Sequence, residues 1–233
     1  LTLMHSGMEV TPIDLCWLMI TISDNMATNM LIDLLGVDNI QANNERLGLE
    51  GVKLSRKLFE KRPEFRGMRN YISGNGIGKL LEMIYKGEVV SKEASKEMID
   101  MMLAQQCTNK IPLLLPGEGR AAHKTGEDGG ITHDTGIIFA KKPFVVCFCN
   151  WQLEEGSEGR MNVQIGQITR ELWDAMGGEP SSRKWSPQEP VGRALLRKMP
   201  MASTAAMAMA ENKIIKSRLR KKIPSYWMVC PME

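Results

Sequence analysis

The spacing of apolar residues changes period along this 233-residue chain, and that change limits what the chain can fold into. From Thr11 to about residue 102 the apolar positions recur at helical intervals. Between Ala121 and Trp151 they follow strand patterns, and from Arg160 they return to helical spacing. Helices first, consecutive strands next and one closing helix predict an α+β fold with an antiparallel sheet, not alternating βαβ units.

Local signals sharpen this outline. Thr11-Pro12 with Asp14 reads as a helix start, with a capping threonine, a proline in the first turn and an early acid. Leu15, Leu18, Met19 and Ile22 follow at helical spacing, and the run breaks at Ser23-Asp24-Asn25. Side chains of these three types compete for backbone hydrogen bonds and favour turns and caps. A second helix is predicted up to Gly36, with Ala27, Met30, Leu31, Leu34 and Leu35 together on one side. Residues 38–50 read as a short helix, 51–73 as loop, and 74–87 as an amphipathic helix stopped by Gly87. Ser91 starts the next helix, with Met98, Met101 and Met102 as core candidates. Residues 121–125 read as a strand entering a turn at Gly126, Gly129 and Gly130. Residues 132–139 and 144–151 complete a three-strand meander, and 160–176 form the closing helix, ended by Gly177-Gly178.

Composition excludes several classes. Cysteines 16, 107, 147, 149 and 230 match no zinc or redox spacing, and the alternating Cys147 and Cys149 read as small apolar core residues. No metal or other cofactor is implied. His123 stands where a P-loop before Lys124-Thr125 needs glycine. The apolar stretch Leu15 to Ile22 is too short to span a membrane. The chain opens at Leu1 without a basic, apolar, small-residue leader, which fits a fragment or a processed chain.

Charge divides the chain. Residues 181–233 carry a balance of +8 and residues 1–180 a balance of −5. The segment 179–233 is a basic tail rich in Pro, Ala and Met, with a cluster at 213–222 that suits an anionic membrane or nucleic-acid surface. The plainer expectation is a poorly ordered, solvated appendage that binds no specific nucleic acid.

Ser23-Asp24-Asn25 at a helix junction and Lys124-Thr125-Gly126 on the first strand of a meander resemble the second and third active-site motifs of the class A β-lactamases and penicillin-binding serine hydrolases. The resemblance covers residues 1–178 in order and context. It implies a β-lactamase/transpeptidase-like fold: an all-α subdomain plus an incomplete antiparallel sheet, a three-strand meander with its C-terminal packing helix. It also implies β-lactam ring opening through a serine acyl-enzyme, hence antibiotic resistance. Members of this family are usually exported, and the compartment of this chain stays open.

The family's roles carry over where residues match. Ser23 would pass a proton toward the leaving nitrogen, and Lys124 would supply positive potential beside it. Asn25 would bind the substrate's side-chain amide, and Asp24 would brace the turn. Thr125 would donate to the substrate carboxylate, and Gly126 would let the strand edge approach the ligand. The Glu127 N–H would be an oxyanion donor.

Four departures limit this reading. The family's nucleophilic Ser-x-x-Lys precedes Ser-Asp-Asn, whereas here the only match is Ser181 to Lys184, after the domain. The loop where a deacylating glutamate is expected offers Arg69 and Asn70, with Glu60 and Glu64 upstream as alternative general bases. His133 stands where class A enzymes often place an arginine carboxylate clamp. It either substitutes when protonated or is a structural strand residue. The family's front segment is missing, which leaves a sheet edge and face open to association.

The expectation is therefore a catalytically silent chain. The alternatives are a non-catalytic module that binds a β-lactam or peptidoglycan stem peptide, and a D-Ala-D-Ala peptidase or esterase on the same scaffold.

Overall fold

The computed structural model describes residues 1, 4–117 and 121–178, together with the backbone of 225–231. Five helices come first: α1 (Pro12–Thr21), α2 (Asn25–Leu35), α3 (Val37–Arg46), α4 (Gly74–Lys86) and α5 (Lys92–Leu103). A 3-10 turn at Ile111–Leu114 leads into strands β1 (Ala121–Asp128), β2 (Ile131–Ile138) and β3 (Phe144–Asn150), then α6 (Glu158–Ala175) and β4 (Ser225–Pro231).

The helix boundaries follow from their caps. Thr11 and Asp14 form a reciprocal capping box at α1. Ser73 and Ser91 each accept a backbone N–H at the starts of α4 and α5. Gly87 ends α4 in the left-handed conformation that glycine adopts without penalty. The loop between α3 and α4 is pinned by two asparagines. Asn29 of α2 exchanges two bonds with the Leu58 backbone, and Asn70 accepts from the Ser55 and Arg56 N–H groups.

Strands β1, β2 and β3 form an antiparallel meander, with Lys124 opposite Thr135 and Gly126 opposite His133. Alternation sends their side chains to two faces. Ala122, Ile137, Val145 and Cys147 pack with Leu81, Ile84 and Tyr85 of α4 and Ile99 and Met102 of α5. Ala121, Ile138, Phe144, Val146 and Phe148 pack with Met161, Ile165 and Trp173 of α6. Every side chain of β3 is buried. Both faces of the meander are therefore covered, in contrast to the open face expected from the sequence.

The edge of β3 is also occupied. β4 lies antiparallel along it, from Phe144 opposite Pro231 to Asn150 opposite Ser225, giving the sheet order β1-β2-β3-β4. The tail expectation otherwise falls on residues 179–224 and 232–233, outside the described residues.

The α2 stripe is a correction. Ala27, Leu31 and Ile32 are buried, while Met30, Leu34 and Leu35 are exposed. The packed side is set by where α1 lies: Leu15, Ala27 and Leu31 form their own small core. The methionine reading of α5 fits, with Met101 and Met102 buried and Met98 packed against the same core. No described helix is long and apolar enough to cross a membrane.

Candidate active site

The first triplet is built by the end of α1. The Asp24 N–H donates to the Leu18 carbonyl at 3.2 Å, and Asp24 Oδ1 accepts the Ala27 N–H at 2.8 Å. Asp24 thus both closes α1 and caps α2, and it also pairs with the Leu1 ammonium. Burial pushes its carboxyl pKa up, but the Leu1 ammonium and the Ala27 N–H outweigh burial and hold it below the usual value. Ser23, one residue earlier, has φ of 55°, the left-handed region that costs a non-glycine residue about 1 kcal/mol. Such strain persists only where the surroundings enforce it, and it concentrates at functional sites. Asn25, the first residue of α2, is exposed.

The second triplet is built by β1. Lys124 and Gly126 emerge on the α4–α5 face, and Thr125 and Glu127 on the α6 face. Lys124 Nζ donates to Ser23 Oγ, joining two triplets 101 residues apart, and to the Thr125 carbonyl at 2.6 Å. Burial pulls the Lys124 pKa below the usual lysine value; Cys107 and Asp134 oppose this and Lys110 adds to it. A Cβ at Gly126 would meet His133 Cβ at 3.5 Å, an ordinary contact. Internal packing therefore does not demand glycine there.

Three further groups lie behind β1. His123 Nδ1 lies 2.9 Å from Asp134 Oδ1, and Asp134 Oδ2 accepts the Ile111 N–H at 3.0 Å, all buried. Lys110 is fully buried. Its ammonium donates to the His133 carbonyl at 3.1 Å and the Gly126 carbonyl at 3.4 Å, and pairs with Glu127 Oε1 at 2.9 Å. Neither Lys110 nor Asp134 is marked by a motif in the sequence. A lone lysine after a helix and an aspartate in a strand carry no local signal of burial.

His133 contributes no charge at neutral pH. Burial, aided by Lys110, lowers its pKa below the usual imidazole value, and its Nδ1 accepts the Asn150 N–H at 3.0 Å. Glu60 is gripped by Arg62, which holds its carboxyl pKa down at about 2 and makes it a poor proton acceptor at neutral pH. Glu64 is exposed and also faces Arg62, at 3.5 Å. Neither glutamate hydrogen-bonds to Ser23 or Lys124. An open cavity of about 410 Å³ is lined by Asn109, Glu127, Asp128, Ile131, Glu158 and Asn162. It lies at the C-terminal end of β1, starting one residue beyond Gly126, and includes no residue of either triplet. Among the described residues no cluster of His, Cys, Asp and Glu could hold a metal ion.

Comparison with known proteins gives a consistent result. A sequence model described as the β-lactamase enzyme family matches residues 1–176. The chain is 25% identical over 177 residues to β-lactamase CARB-4 of Pseudomonas aeruginosa, and it spans 72% of its own length and 62% of that relative's. A solved β-lactamase from Sphaerobacter thermophilus DSM 20745 superposes with a TM-score of 0.68 at 32% identity, over 76% of this chain and 68% of that one. PBP-A superposes with a TM-score of 0.64 at 26% identity, over 76% of this chain and 65% of that one.

Proposed function

The chain belongs to the β-lactamase enzyme family, and from that membership we propose that it carries the proton-transfer and substrate-holding part of a serine site that opens β-lactams through an acyl-enzyme. The hydrogen bond from Lys124 Nζ to Ser23 Oγ is the observation that carries this reading. An ammonium donating to a hydroxyl stabilises negative charge on that oxygen, so Ser23 can relay a proton toward a leaving nitrogen. The same ammonium, with no carboxylate partner among the described residues, favours an anionic ligand. Asn25, exposed at the α2 start, offers both an amide donor and an acceptor. Gly126 leaves the strand edge open, and the Glu127 N–H supplies an oxyanion donor.

No described residue provides the nucleophile. The Ser181 to Lys184 match lies outside the described residues. The described residues accordingly form a site that holds a β-lactam or a stem peptide without turning it over. A mutant of PBP-A has been solved as an acyl-enzyme complex with penicillin G. The Arg62 grip on Glu60 leaves this loop a weak base for deacylation, which favours a site that acylates without releasing the acyl group.

The test is a nitrocefin assay with mass spectrometry of the protein, alongside calorimetry with the same ligand. The expected outcome is no turnover and no adduct, with saturable binding that is lost in Lys124→Ala. Turnover with an adduct on Ser181 would reverse the silent reading. No binding at millimolar ligand would end the binding-module reading.

A further inference from the structure

The loop between α3 and α4 gathers cations on an otherwise acidic body. Residues 53–72 hold seven Lys or Arg and two Glu, a balance of +5 within residues 1–180, whose balance is −5. The remainder of those residues therefore carries −10. Both glutamates, Glu60 and Glu64, are taken up by Arg62, and Lys57 pairs with Asp33 of α2. Lys53, Lys61, Arg66 and Arg69 are exposed and enter no ion pair among the described residues.

The cations sit on a built frame. Lys53 and Tyr71 exchange backbone hydrogen bonds at 2.8 and 2.9 Å, and Arg56 Nε donates to the Met68 carbonyl at 2.7 Å. With Asn70 bridging to Ser55 and Arg56, the two limbs of the loop are tied together along their length. The same loop exposes apolar side chains: Phe59, 67% exposed, with Met68, Tyr71 and Ile72. Phe59 has φ of 56°, a backbone state that bulky residues rarely adopt. Its neighbour Leu58 is held on both its N–H and its carbonyl by Asn29. The ring is thus kept in water by a fixed backbone, at a cost that such sites carry for a function.

Free cations interleaved with exposed apolar groups suit a surface that offers anions and hydrocarbon together. An anionic bilayer does so: its phosphates meet Lys and Arg, and apolar tips enter the boundary below them. Met68 and Ile72 have no ring to stack on a base, which favours lipid over single-stranded nucleic acid. The negative remainder of the body is repelled by the same surface, which turns the loop toward it. We propose that the loop at residues 53–72 docks this protein on an anionic lipid surface, with Lys53, Lys61, Arg66 and Arg69 on the headgroups and Phe59 in the apolar boundary. The inference goes beyond the proposed function and does not rest on it.

The test is cosedimentation of the full chain with vesicles of phosphatidylcholine alone or mixed with phosphatidylglycerol, at low and high salt. Binding is expected to the mixed vesicles only, and to weaken with salt. Each Lys or Arg near an anionic leaflet contributes roughly fivefold, so Arg66→Glu with Arg69→Glu should weaken binding by at least about twentyfold. Phe59→Asn tolerates the left-handed backbone and removes the ring, and should weaken binding by at least about fivefold. These positions are exposed, and unchanged thermal unfolding identifies folded variants. No binding of the wild type to mixed vesicles overturns the proposal. So does wild-type affinity in the double arginine variant, which would assign vesicle binding to another basic segment. Loss in that variant with wild-type affinity in Phe59→Asn also overturns it, since the loop would then be a site for soluble polyanions such as nucleic acid.

Discussion

A lysine lies on each face of β1, and the two are held in opposite ways. Lys124, on the α4–α5 face, donates to a serine hydroxyl and a carbonyl and has no carboxylate partner among the described residues. Lys110, on the α6 face, is entirely enclosed and has a counter-ion in Glu127. The difference shows where the charge is available. A partly exposed ammonium without a counter-ion is ready for a ligand or a proton transfer, whereas an enclosed ammonium with one is neutralised until that partner moves.

Breaking the α6 face is expected to have the largest effect. Asp134→Ala leaves His123 Nδ1 and the Ile111 N–H buried without their partner. We expect a loss of about 3 kcal/mol in urea unfolding, since two buried donors lose a charged acceptor at once. A loss below about 1 kcal/mol would mean that the pair is not part of what holds the 3-10 turn against β2.

On the other face the balance reverses. Lys124→Met is expected to weaken nitrocefin binding by at least about tenfold, or 1.4 kcal/mol, while changing stability little. Burial already penalises this charge. An ammonium whose folded pKa lies below the unfolded value of 10.5 binds its proton less tightly when folded. Its contribution to stability therefore rises with pH from the folded pKa up to about 10.5, and ligand affinity falls over the same ascent as the charge is lost. Unfolding and binding profiles of the wild type and Lys124→Met should diverge in that interval. Parallel profiles would show that Lys124 does not titrate there.

The smallest effect sharpens the role of strain. Ser23→Gly relieves a left-handed φ of 55° and is expected to change stability by less than about 1 kcal/mol, with relief offset by unfolded-state entropy. Ligand affinity should still fall, because the hydroxyl facing Lys124 is gone. Unchanged affinity would make Ser23 a turn residue only.

What the sequence made legible was local. Thr11, Ser73, Ser91 and Gly87 mark helix ends because their chemistry acts within one turn of chain. The meander follows from alternation and from glycine at its turns, although β1 runs through Gly126 and turns only at Gly129-Gly130. Ser23 and Lys124 were legible as motif residues, but their contact spans 101 positions and only the fold displays it. Lys110 and Asp134 were illegible for the same reason: each acquires its meaning from partners on other elements. In α2, Met26, Met30 and Leu34 recur every fourth residue as regularly as Ala27 and Leu31, so spacing alone does not say which stripe faces inward. β4 lies in a stretch whose composition dominated its reading, and its pairing depends on the edge of a strand 75 to 87 residues earlier.

That separation orders the assembly of the sheet in time. β1 and β2 meet across a turn with Asp128 opposite Ile131, so little chain entropy opposes their closure. Joining β3 to β4 closes a loop of 74 intervening residues between Asn150 and Ser225, which costs about 3 kcal/mol more than closing the β1–β2 hairpin. The meander and its helices can therefore form a scaffold before β4 arrives. β4 is the last strand to dock and the first to detach, so its amide protons should exchange ahead of those in the buried interior of β3.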